Sequence, residues 1–324
     1  MTSAASIIEK ANDAMANGDQ TKALEFYDQV IELEPDNAEA WFCKGTILSS
    51  KGELKQAVDC YARSAQNAGD RAPLPLYNMG NALQKLERYE EAIDAFEKAL
   101  KIDPTMCDAW INRGRILDDL GHHAEAIRSY DVSLDIDPND SMAWTNRGNS
   151  FRGLENYKEA LASYANALQL DAADFKAVLG SAVCYAHLGD TKKALDMFAD
   201  LEHFDQSWVM VELSFVLALA GRNEDALKKI DEAIAREEDI PEAWNNRAEI
   251  LARLKRHDEA LASFDRAIDL ADAFDSAWFG KARLLYNLGR KAEARSCLDY
   301  YFKLNEGTDA ALALKSLLDA EDKK

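Results

Sequence analysis

Asparagine recurs in one register of the chain, at Asn78, Asn112, Asn146 and Asn246, the first three evenly spaced. A second set follows at Asn81 and Asn149, and Asn245 stands beside Asn246. An asparagine amide offers an acceptor and two donors, the complement of the C=O and N–H of an extended peptide. Holding a polypeptide backbone is therefore the chemistry these residues can perform. Bond-making chemistry finds little support. The five histidines (His122, His123, His187, His203, His257) lie at turns or singly on helices, so His122-His123 reads as solvated residues rather than metal ligands. The five cysteines (Cys43, Cys60, Cys107, Cys184, Cys297) are scattered without a C-x-x-C pair. They read as small hydrophobes in a reducing compartment, not as a disulfide framework or a zinc site. Gly280-Lys281 lacks the further glycine and the Ser/Thr of a phosphate loop. No catalytic residue, no metal and no cofactor is expected.

Composition narrows the classes further. Across 324 residues, 38 Lys+Arg face 58 Asp+Glu, a net charge of −20. Such a charge repels phosphate backbones and anionic bilayers, so neither nucleic acid nor membrane is an expected partner. With 48% apolar residues the chain has enough to bury for a folded core. Residues 1–10 lack the basic and apolar regions of a secretory leader, and the most apolar stretch, 213–220, is too short to span a bilayer. A cytoplasmic protein is expected.

The elements that position these residues emerge from self-similarity. One alanine recurs at near-constant intervals, at Ala23, Ala57, Ala92, Ala126, Ala160, Ala194, Ala226, Ala260 and Ala294. Four residues later comes a bulky side chain, as in Tyr27, Phe96, Tyr164 and Phe264; twelve residues earlier comes a small one, as in Gly80, Gly114, Gly148 and Ala248. A tryptophan precedes the small residue by four in five units (Trp41, Trp110, Trp144, Trp244, Trp278). Each unit reads as two helices. Glycine, at Gly18, Gly52, Gly121, Gly189, Gly221 and Gly289, stops the first, and Pro35, Pro104 and Pro138 prevent the second from continuing. The small residues let helices approach, while the Trp and Tyr/Phe columns are expected to fill the gap between successive hairpins.

This pattern, best seen in WTNRGNSFRGLENYKEALASYANA at 144–167, resembles the tetratricopeptide repeat family. Nine repeats are delimited: 4–37, 38–72, 73–106, 107–140, 141–174, 175–206, 207–240, 241–274 and 275–308. A capping helix at 309–320 and a short tail at 321–324 follow. The fold class is thus all-α, one solenoid of antiparallel helix hairpins. The resemblance implies a right-handed superhelix whose first helices line a concave groove used to bind other proteins.

In that setting the asparagines resemble the ladder of some members of the family, with Asn78, Asn112 and Asn146 its continuous part; the alternative is that asparagine is merely tolerated in a solvated groove. The family's carboxylate clamp is not reproduced, since Tyr77, Met142 and Asn146 stand where its basic residues belong. Lys44, Arg113, Arg147, Arg247 and Lys281 form another column, read as stems packed over neighbouring helices with their charges paired. The helix at 208–220 is apolar nearly all round. Trp208, Val211 and Phe215, with Leu179 and Val183 beside them, form either an exposed apolar docking patch or a locally buried cluster. Acidic residues Glu39, Asp108, Glu212, Glu242 and Glu249 reach the groove.

A non-catalytic scaffold or adaptor for protein–protein interaction follows, holding a neutral to basic segment with an apolar anchor. The alternative is a self-assembling scaffold, a homo-oligomer joined through repeats 6–7 or the terminal helix.

Overall fold

The structure, a computed structural model, describes residues 3–69, 72–199, 206–304 and 307–321. Nineteen α-helices and no strand occur among these residues. They fall into two compact units, Met1–Ala177 and Val178–Lys324. The first unit holds α1 (Ala4–Ala16), α2 (Gln20–Leu33), α3 (Ala38–Ser50), α4 (Leu54–Ala68), α5 (Pro73–Lys85), α6 (Tyr89–Ile102), α7 (Cys107–Asp119), α8 (His123–Ile136), α9 (Ser141–Gly153) and α10 (Tyr157–Leu170). The division falls within α11 (Phe175–His187). The second unit continues with α12 (Thr191–Ala199), α13 (Ser207–Leu219), α14 (Asn223–Arg236), α15 (Pro241–Arg253), α16 (His257–Leu270), α17 (Asp275–Asn287), α18 (Lys291–Leu304) and α19 (Asp309–Glu321). His203 and the last three residues of the tail expected at 321–324 lie outside the described residues.

Local chemistry fixes these boundaries. Asp19, Asn37 and Asp140 cap α2, α3 and α9, each side chain accepting a backbone N–H three residues on. The turn between paired helices always passes through the left-handed region. Glycine supplies it in six hairpins; Glu87 (φ 58°), Glu155 (φ 57°) and Lys255 (φ 60°) adopt the same conformation in the three that lack it. The turn is therefore imposed by packing of the hairpin, with glycine relieving its cost rather than creating it.

The small column brings helices together within a hairpin. A Cβ added at Gly148 would lie 2.5 Å from the Tyr164 ring, and at Gly80 2.7 Å from Phe96. Both aromatics are fully buried. The Tyr/Phe column thus packs inside its own hairpin, and it also reaches the next one, since a Cβ added at Gly280 of α17 would lie 2.6 Å from Phe264 of α16. Tryptophan does bridge successive repeats, by an unforeseen bond: the indole N–H of Trp41, Trp110, Trp144, Trp244 and Trp278 donates to the carbonyl six residues earlier, at 2.7–2.9 Å. That carbonyl belongs to the connection entering the hairpin, so the ring fixes how one repeat leads to the next.

The basic column is a clasp between hairpins. Arg147 Nε donates to Asp131 on α8 at 2.6 Å, and its Nη1 to Ser163 on α10 at 2.8 Å. Arg247 repeats this with Asp231 and Ser263, and Arg113 with Glu97 and Ser129. Lys44 and Lys281 pair with Asp28 and Asp265. The carboxylate lies each time on the second helix of the preceding hairpin, and the serine on the second helix of the arginine's own. Within each unit the first helices of successive hairpins also touch one another: α3, α5, α7 and α9 in the first, and α13, α15 and α17 in the second. They form the crowded inner layer of each unit.

At the C-terminal end, α19 packs against α18 through buried Ala311, Leu314 and Leu318. Ala310 and Leu317 of the same helix are exposed.

Candidate functional site

In the first unit Asn78, Asn81, Asn112, Asn146 and Asn149 stand on the inner helices and are half-buried. Asn112 on α7 donates from Nδ2 to Asn81 Oδ1 on α5 at 2.9 Å, and to the Tyr77 hydroxyl at 3.4 Å. Its donors are thereby held across the helix–helix seam, and its own Oδ1 stays available as an acceptor. Asn78 precedes it on α5. Asn146 follows on α9, where its Nδ2 has no hydrogen-bond partner. Asn149 has a different task, because its Oδ1 accepts the hydroxyl of buried Tyr164 at 2.7 Å. Asn12 does the same for Tyr27 at 2.7 Å. Burial and its surroundings push the Tyr27 phenol far above its ordinary range, so it stays a donor at any physiological pH. Only where the buried aromatic lacks a hydroxyl, at Phe96, is the equivalent asparagine, Asn81, released to bond its neighbour.

In the second unit the inner helices α13, α15 and α17 enclose a cavity of about 280 Å³. Phe215 and Ile250 form its apolar part, and Asn245, Asn246, Glu249 and Arg253 its polar part. Asn245 Oδ1 has no partner. Arg283 Nη2 holds both oxygens of Glu249 at 2.6 Å, and Arg253 Nη1 caps the end of α13 through the Ala218 carbonyl at 2.7 Å. Asn246 and Phe215, which sequence alone assigns to separate features, therefore share one cavity. The remaining patch residues do not open onto it. Leu179, Val183 and Val211 are buried at 4, 3 and 8% exposure, whereas Trp208 is 39% exposed. The five-residue exposed patch is thus reduced to Trp208 and half-buried Phe215, whose ring stacks 5.0 Å from His187. Neighbouring apolar helices, rather than a ligand, cover the rest.

Arg253 and Arg283 escape the sequence reading. The signal available is register: Arg283 follows Glu249 by one repeat length, and so lies beside it on the adjacent inner helix. Among the groove carboxylates Glu249 is consequently neutralised, while Glu39, Asp108 and Glu242 stay exposed. The five cysteines are free thiols, and burial raises the thiol pKa of Cys60 and Cys297.

Comparison with known proteins agrees with this architecture. Family models of the tetratricopeptide repeat match residues 7–37, 26–59, 73–106, 107–140, 152–211 and 217–273. The chain belongs to the tetratricopeptide repeat family. Small glutamine-rich tetratricopeptide repeat-containing protein 2 of Mycosarcoma maydis is 29% identical over 96 residues, 30% of this chain and 27% of that protein. A TPR repeat-containing protein of Methanocaldococcus jannaschii is 25% identical over 101 residues, 31% of each chain. The chain thus matches about a quarter to a third of these relatives' lengths. A tetratricopeptide repeat protein from Parabacteroides merdae has the same fold at a TM-score of 0.60 and 19% identity, covering 87% of this chain and 98% of its own. YrrB, described as a TPR protein with an unusual peptide-binding site, gives a TM-score of 0.50 at 24% identity, covering 55% and 91%. Tetratricopeptide repeat proteins generally mediate protein–protein interaction. No helix among the described residues is long and apolar enough to cross a membrane.

Proposed function

We propose that this protein is a non-catalytic scaffold whose nine repeats, 4–308, end in the capping helix 309–320, and whose inner helices hold an extended segment of a protein partner. The Asn81–Asn112 hydrogen bond carries this reading. It links adjacent inner helices and fixes an amide whose remaining acceptor suits a peptide N–H, with Asn78 and Asn146 one helix to either side. In the second unit the cavity at Phe215, Asn245 and Asn246 suits an apolar anchor with a polar edge. Exposed Glu39, Asp108 and Glu242 favour a neutral or basic segment. YrrB, whose own peptide-binding site is described as unusual, shares the fold and adds support by analogy.

The test is capture from lysate of the source cell by the full chain and by the Asn78→Ala/Asn112→Ala/Asn146→Ala variant, with helical content checked by circular dichroism. Loss of the captured proteins from a fully helical variant is expected; an unchanged set overturns the reading. The second reading is self-assembly, supported by Leu312 and Leu317, which are 47 and 51% exposed on α19. Light scattering across a concentration series separates the two, because a groove-binding scaffold keeps the mass of one chain.

A further inference from the structure

A second cavity in the first unit, of about 390 Å³, lies between α6 and α8 across α7. Its only carboxylate is Glu97, which Arg113 already holds at 2.8 Å, while Ser129 occupies another Arg113 nitrogen at 2.6 Å. Two further cations remain in the lining: Lys101 from the last turn of α6 and Arg128 from α8. Both are exposed. The nearest carboxylate to Arg128 is Glu125 on its own helix at 3.9 Å, an exposed pair of little strength that a ligand can exchange. Leu100, Trp110 and Val132 give the same cavity apolar walls.

Comparison across the repeats isolates this site. Lys101 stands nine residues after its repeat alanine and Arg128 two residues after the next one. Of the seven corresponding pairs elsewhere, six hold no cation: Glu32 with Asp59, Gln66 with Asp94, Asp135 with Ala162, Gln169 with Asp196, Ala235 with Ala262, and Asp269 with Ser296. The seventh, His203 with Lys228 in the shortened repeat, has a lysine at the second position, so a lysine or arginine at both positions occurs at Lys101 and Arg128 alone. Packing between hairpins therefore does not require positive charge at these two positions, and the clasp that packing does use is complete without them. In a chain of net charge −20, the paired cations mark a local reversal. Of the carboxylates nearby in sequence, Asp94 is held by Lys98 and Asp131 by Arg147. A long polyanion such as nucleic acid extends beyond the two cations and meets the net charge of −20, whereas one acidic side chain does not.

We propose that this cavity docks an acidic segment of a protein partner, with a carboxylate held between Lys101 and Arg128 and its stem or an adjacent apolar residue against Trp110. The site is separate from the asparagines of the inner layer, so it adds an acidic partner to the neutral or basic one proposed there. The test uses the ¹⁵N-labelled full chain titrated in low salt with acetylated, amidated hexaglutamate, following the tryptophan indole N–H resonances, with Trp110 assigned through Trp110→Phe. The Trp110 signal is expected to shift saturably. Binding should weaken about tenfold in Lys101→Ala/Arg128→Ala, and Asn78→Ala/Asn146→Ala should leave it unchanged. Both cations are exposed, so the double variant should keep its helical content, and Arg128→Ala alone gives an independent reading of the same loss. No saturable shift, an equal shift in the double variant, or an equal shift with hexalysine or inorganic polyphosphate overturns the proposal.

Discussion

Asn81 and Asn149 occupy the same place in their repeats, yet one bonds a neighbouring asparagine and the other a buried tyrosine. The difference comes from a single oxygen atom on the facing helix, present on Tyr164 and missing from Phe96. A buried phenol needs an acceptor, and the nearest amide supplies it before any ligand can. The asparagine column was legible in the sequence as a spacing; the division of labour within it was not, because it depends on which hydroxyls are buried beside which amides. The residue scale also carries a stability prediction. Glu155 sits at φ 57°, where a side chain is penalised and glycine is not. Glu155→Gly is expected to stabilise the protein by roughly 0.5–1 kcal/mol, measured as a higher urea midpoint at unchanged slope.

Helix pairs depend on contact distances that leave no slack. Gly148 faces the ring of Tyr164, whose hydroxyl is tied to Asn149, so the ring cannot retreat without breaking that bond. Gly148→Ala should therefore cost about 1–3 kcal/mol through overpacking, seen as a lower urea midpoint. Tyr164→Phe in the same background should recover part of the loss, since an untied ring can shift. At this scale the sequence announced the hairpins, their turns and the close approach at glycine. It did not tell that the aromatic column packs within its own hairpin as well as between hairpins, and it left open whether the apolar patch of α11 and α13 is exposed or buried. Helical periodicity tells which residues share a face, as for Leu179, Val183 and Val211. It does not tell how many neighbours cover that face, and here the cover is enough to bury all three.

For the molecule as a whole, an excess of 20 negative charges outweighs isolated, fully solvated surface pairs such as Arg88–Glu91. Added salt screens both, but the repulsion is the larger sum. The melting temperature is expected to rise by a few degrees between low and moderate salt, read by thermal circular dichroism, with the same trend in sodium chloride and potassium chloride.

The clasp set by Arg113, Arg147 and Arg247 has one more property. The hairpins of Arg113 and Arg247 carry both halves of the joint: an arginine reaching backward, steadied by its serine, and a carboxylate, Asp131 or Asp265, receiving the cation that follows. A copy of residues 107–140 inserted after residue 140 would set its Arg113 against the original Asp131 and offer its own Asp131 to Arg147. Every joint would close with no new residue required. Such a unit behaves like a tile whose edges match under translation, so tandem duplication or loss of whole repeats is a change this architecture can absorb. The length of the chain is then a heritable variable on which selection can act without first repairing the seams.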